Sequence, residues 1–174
     1  MPRDSGQEAT CDIESLAAVR YTEAMREGAD PADRRQPNHK AVMMSQRFFR
    51  QAQSDLRIAE VLVRPGAYYK AVECAYQATE KALKGLAWAA GLRATGKHDL
   101  VSFLQRIGAV VGEPPESVDG AVKHLEPMWG DVRYPSGSET GLIPADAFGE
   151  GDAVGATGAA REVMAWVDAE LRQP

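Results

Sequence analysis

No proline interrupts the chain between Gly66 and Glu113. Proline removes a backbone donor and blocks helix interiors, so this run can hold two helices and the turn between them. Within it, Val72, Ala75, Thr79, Leu83, Leu86 and Ala90 recur at three- and four-residue intervals. That spacing is one face of a helix of about six turns over 68–90. Gly91 stands where a helix-closing glycine belongs. No segment alternates with period two, and β-branched residues never cluster. The sequence therefore reads as all-α, an antiparallel up-and-down bundle of four to five helices with short connections.

The flanking segments supply the other helices. Phe48, Ala52, Leu56, Ala59 and Leu62/Val63 repeat the apolar pattern upstream, with Ser45 as the expected N-cap and Pro65-Gly66 as the stop. Downstream, Asp99 is placed to cap a shorter helix carrying Leu100, Phe103, Leu104, Ile107 and Val111. Pro114-Pro115 opens another, with Val118, Val122, Leu125 and Met128 inward. A last helix is expected from Ala153 or Gly158, with Val163, Met164, Val167 and Leu171 on its core face. Residues 134–158 hold six glycines and two prolines, which predicts a long mobile loop or a poor helix. An extra N-terminal helix, Asp12–Glu27, is followed by a polar linker with two prolines. The chain thus divides into 1–40, a helix and linker, and 41–174, the bundle.

The net charge of −5 conceals an asymmetry. Residues 41–110 carry 10 Lys/Arg against 5 Asp/Glu, and residues 111–174 carry 4 against 12. The basic middle suits phosphate groups, and the acidic end suits screening or a basic partner. An isoelectric point near 5.3 argues against non-specific binding to long nucleic acid, which depends on many phosphate contacts. The longest apolar stretch, Leu86–Leu92, is too short for a membrane span, and the opening MPRDSGQEAT lacks the apolar core of an export signal. Cys11 and Cys74 are too few for a disulfide framework. A cytoplasmic protein with reduced thiols is expected.

Several residues are candidates for chemistry. On the long helix, Lys81 and Lys84 lie close enough to form a phosphate-binding pair, although Glu80 and Lys84 also have the spacing of an ordinary exposed ion pair. Lys97, His98 and Asp99 stand at a helix start, where free N–H groups favour an anion; a capping Asp with a surface His is the plainer reading. Arg133 and Tyr134 precede Pro135 and mark a helix exit, with Asp131 the only acid close to Arg133 in sequence. Tyr134 packed on Trp129 is the structural reading of that pair. His39, His124 and Glu126 lack metal-ligand spacing, so no metal is expected, and no glycine-rich phosphate loop or dinucleotide fingerprint calls for a cofactor. Trp88 falls off the face that carries Leu86 and Ala90, which suits an interface between copies or a cover supplied by the N-terminal helix.

Asp55-Leu56 with Ala59, then Gly66-Ala67-Tyr68, the helix Ala71–Leu86, Gly91, His98-Asp99-Leu100 and Arg133-Tyr134-Pro135 come in an order that resembles a HEPN domain (higher eukaryotes and prokaryotes nucleotide-binding) of the stand-alone prokaryotic type. The resemblance covers about residues 45–171. It implies a two-fold homodimer and a nucleotide-binding or accessory subunit paired with a minimal nucleotidyltransferase. It also implies two alternatives, a metal-independent ribonuclease toxin of a toxin–antitoxin pair and a purely structural dimeric module. The ribonuclease branches place a His a few residues after an Arg. Here Arg133 is followed by Tyr134, and 138–140 are Ser, Glu and Thr. This departure favours binding over cleavage and leaves His98 and Arg133 as the catalytic candidates. The Arg93–His98 pair has the right interval in the wrong place and is read as coincidence.

Overall fold

The protein was analysed as a computed structural model, which describes residues 39–92, 98–135 and 141–173. The expected helix Asp12–Glu27, and Lys97 and Arg93, lie outside the described residues. Those described form a packed all-α bundle with five principal helices: α1 (His39–Val63), α2 (Tyr68–Ala89), α3 (Leu100–Val111), α4 (Glu116–Leu125) and α7 (Glu150–Arg172). Two four-residue turns of helix, α5 (Met128–Asp131) and α6 (Pro144–Ala147), lie in the connection from α4 to α7. Among the described residues there is no strand, and no helix is long and apolar enough to cross a membrane.

Helices α1 and α2 form an antiparallel hairpin. The turn joins Val63 to Tyr68, and the far end of α1 brings the Ser45 carbonyl against Gly85. Both α1 and α2 end in the same way. Gly66 (φ +79°) donates to the Val63 carbonyl while Ala67 donates to Leu62; Gly91 (φ +70°) donates to Trp88 while Leu92 donates to Ala87. These paired bonds satisfy carbonyls the helix leaves open, and they need a left-handed residue that glycine supplies without a Cβ clash.

Small residues set how closely the hairpin packs. Ala52 and Ala59 of α1 and Ala71, Ala75, Ala78 and Ala82 of α2 are wholly buried. A Cβ built on Gly85 would lie 3.1 Å from the Ser45 carbonyl oxygen. Ser45 is therefore buried inside α1, not its N-cap, because the helix begins at His39 and uses the small serine at its tightest crossing. Phe49 is the fully inward aromatic, and Phe48 is only half-buried.

Helix α2 packs against α1 and α7, and α7 packs against α4 and α1. This makes α2 the central element, with Tyr76 and Leu83 among the largest fully buried side chains. The glycine-rich run is helical from Glu150, earlier than Ala153 or Gly158. Asp152 accepts from the Gly149 amide (2.8 Å) and secures the start, and Gly155 leaves room for the His124 ring, 3.1 Å from where a Cβ would sit. Glycine lowers helix propensity by about 1 kcal/mol, and burial of Ala153, Ala156, Thr157 and Ala160 on the same helix offsets that cost.

Tyr76 yields a prediction for alkaline solution. Burial, followed by the charges of Glu126 and Glu80, raises its phenol well above the ordinary tyrosine range. Below about pH 10 the phenol is neutral in both folded and unfolded chains, and its contribution is fully present. Above that, the unfolded phenol ionises first and stability falls by about 1.4 kcal/mol per pH unit until the folded phenol also titrates. Tyr76→Phe should show a shallower loss of unfolding free energy than the parent between about pH 10 and 12. Parallel pH profiles would contradict the buried phenol.

Candidate functional site

The polar side of α2 meets the two segments that flank α3 and α4. Glu80 is 4% exposed, and its Oε1 accepts from Lys84 Nζ (2.8 Å) and lies 3.1 Å from His98 Nδ1. The Glu80–Lys84 pair expected on the surface is thus sunk into the bundle and shared with a residue just before α3. A carboxylate only accepts, so the Nδ1 it faces carries the proton, and Nε2 is the ring nitrogen left for other work.

Lys81 is also engaged. It binds Asp55 of α1 and donates to Gln77 Oε1 (3.1 Å), while Gln51 donates to the other Asp55 oxygen (2.8 Å). Neither lysine of the expected phosphate pair is therefore unpaired. The start of α3 is occupied as well. Asp99 accepts from the Ser102 amide (2.9 Å) and hydroxyl (2.8 Å), and Glu126 Oε2 accepts from the Leu100 amide (2.6 Å) and the Val101 amide (3.3 Å). An internal carboxylate takes the place that the sequence reading gave to a phosphate, so the expectation of free N–H groups there is corrected.

What remains converges on one indole. The His98 ring stacks on Trp129 with centroids 4.0 Å apart, and the Arg133 guanidinium carbon lies 3.5 Å from the Trp129 ring centroid. Tyr76 supports the same indole from α2 at 4.6 Å. His98 and Arg133, distant in sequence, thus both contact a single side chain. Arg133 Nε is 3.4 Å from Glu73 Oε1 of α2, an ion pair too poorly aligned to be a hydrogen bond, and this buried nitrogen has no hydrogen-bond partner. Such an orphaned donor costs about 1–3 kcal/mol, a cost a site can carry where the guanidinium is held for a ligand. Glu73 is anchored by Lys70 (2.7 Å), which raises the lysine's pKa chiefly through that hydrogen bond.

Tyr134 does not pack on Trp129; it is 60% exposed, and Arg133 takes that place. Arg133 pairs with Glu73 of α2 and not with its sequence neighbour Asp131. Trp129 and Glu73 are the members the sequence reading missed, although Trp129 and Arg133 stand four residues apart, the spacing that aligns two side chains on a helical turn. Cys74 is half-buried, and burial, then the Glu73 charge, pushes its thiol up, away from reactivity. Among the described residues no group of three or more His, Cys, Asp or Glu is arranged to hold a metal ion.

Comparison with known proteins agrees with this architecture. No curated protein matches the sequence. Among solved structures, TT1696 from Thermus thermophilus is 28% identical, with 72% of this chain and 97% of that one aligned at a TM-score of 0.67. ST0689, an archaeal HEPN homologue, is 24% identical and shares the fold, with 74% and 98% aligned at a TM-score of 0.62. The HEPN domain family model matches residues 45–170, from the buried serine of α1 to the last turn of α7, and the chain belongs to that family.

Proposed function

We propose that this HEPN protein is a nucleotide-binding accessory subunit that takes the phosphate end of a nucleotide between Arg133 and His98. The observation that carries the reading is the stacking of both residues on Trp129, with His98 Nδ1 held by buried Glu80. That arrangement leaves His98 Nε2 and the guanidinium as the groups for an anion. Arginine matches phosphate oxygens with a planar fork of donors. Tyr134, exposed beside Arg133, offers an aromatic face to the base. Lys81 and Lys84 then act indirectly, by fixing Asp55 and Glu80, while Asp99 shapes the start of α3. The proposal includes a two-fold homodimer and a nucleotidyltransferase partner; it draws on the family resemblance and on Trp88, which is half-buried and off the core face.

Calorimetry with ATP, GTP and their diphosphates tests the site, with light scattering on the same samples expected to give a dimer mass. Micromolar binding is expected in the parent, and each of Arg133→Ala and His98→Ala should weaken it at least tenfold. Absence of binding for all four nucleotides, or unchanged affinity in both variants, would overturn the site. A monomer would overturn the dimer.

The Glu80–His98 contact favours one second reading, a metal-independent ribonuclease. A carboxylate that holds Nδ1–H leaves Nε2 to take the proton of a 2′-hydroxyl, and Arg133 stands near enough to stabilise charge on the attacked phosphate. RNA cleavage in the presence of a chelator that is lost in both His98→Ala and Arg133→Ala would favour it over binding alone.

A further inference from the structure

Helix α1 carries an exposed row of cations that the site above does not use. Arg47, Arg50 and Arg57 are mostly turned to solvent, and Ser54 falls between them at the three- and four-residue spacing that keeps one helix face. With Gln51 and Gln53 they line a shallow, open depression of about 480 Å³. All six residues carry hydrogen-bond donors, and none is acidic or apolar. The two acids of α1 are turned elsewhere: Asp55 is buried on Lys81 and Gln51, and Glu60 pairs with Arg161 of α7. None of the three arginines has an ion-pair partner among the described residues. In a chain of net charge −5, such a concentration of unneutralised arginine is a local feature, not a reflection of overall charge.

We infer that this face binds the phosphodiester backbone of a single nucleic-acid strand. From Arg47 to Arg57 the helix rises about 15 Å, over which one strand presents about four charges at about 3.4 Å of axis each. Serine and glutamine are common phosphate-contacting partners of arginine, and such contacts position a strand without reading its sequence. An acidic protein fits less well, because stable protein interfaces are built around buried apolar or aromatic anchors and the six residues of the depression include none. The acidic remainder of the chain limits the contact to this face, so the complex is modest in affinity and strongly salt-sensitive.

Fluorescence anisotropy of labelled 12-nucleotide RNA and DNA strands with the intact chain at low salt is the test. Binding is expected for both strands, with affinities within a few-fold of each other. Arg47→Ala/Arg50→Ala/Arg57→Ala should weaken it at least thirtyfold and lower the slope of log affinity against log salt by about 2, at about 0.7 per phosphate released. Arg50→Glu alone should cost about tenfold and decides the matter if the triple variant fails to fold. Strand binding should persist with saturating ATP present, which separates this face from the nucleotide site. No binding by the parent, parent-like binding by the variants, or displacement of the strand by poly-glutamate as readily as by unlabelled RNA would each overturn the inference.

Discussion

Glu80→Ala is expected to lower the unfolding free energy by about 3 kcal/mol, read as a fall in the urea midpoint at unchanged slope. The carboxylate is almost wholly out of water, and one of its oxygens serves both Lys84 and His98. Breaking a buried ion pair from one side costs about 3–5 kcal/mol because the abandoned charge stays desolvated. Lys84 retains 20% exposure and can reach water, which places the loss at the lower end. Glu80→Gln keeps an acceptor of the same shape and should cost about half as much. Glu80→Ala/Lys84→Ala should be less harmful than the two single changes added together, the sign of a shared interaction. A Glu80→Ala midpoint indistinguishable from the parent would remove Glu80 as the keystone of this cluster.

A loss of similar size is expected from Gly85→Leu, again about 3 kcal/mol, or about 10 °C in Tm for a domain of this size. The obstacle is backbone. A Cβ on residue 85 would meet the Ser45 carbonyl oxygen at 3.1 Å and the Phe49 amide nitrogen at 3.4 Å, neither of which can swing aside as a side chain does. Leucine adds three further carbons to that crossing, so α1 and α2 must separate and loosen the alanine contacts along their length. Gly85→Ala sets the same steric pressure against a gain in helix propensity of about 1 kcal/mol and should come out near neutral. A stable, parent-like Gly85→Leu would mean that the two helices do not cross here as described.

The helices themselves were legible because burial writes its period into the sequence. Val72, Ala75, Thr79, Leu83 and Leu86 are all buried as their spacing requires, and Asp99 caps α3 as expected. The misreadings have a common cause in tertiary packing. Ser45 looks like a cap, yet α1 runs through it because the partner helix needs a small residue there. The glycines from 151 to 158 look like a loop, yet they are helical, because Ala153, Ala156, Thr157 and Ala160 between and beyond them form a buried face. The site was half legible. His98 and Arg133 stand out as isolated polar residues at helix boundaries, whereas their meeting on Trp129 depends on how the α3–α4 segment folds back, which no local pattern records. Likewise, nothing near Leu100 in sequence announces that Glu126 will fill the anion position at the start of α3.

That carboxylate has a mechanical consequence. His98 immediately precedes α3, and Trp129 and Arg133 follow α4, so the intervening backbone is a long arc with candidate site residues at each end. By binding the first amides of α3, Glu126 fastens the ends of the arc to each other and closes it into a ring. The spacing between imidazole and guanidinium is then set by a closed circuit of backbone, one carboxylate and one indole, and not by two independent side chains. A ligand meeting such a ring finds the geometry already assembled and spends little of its binding energy on ordering it.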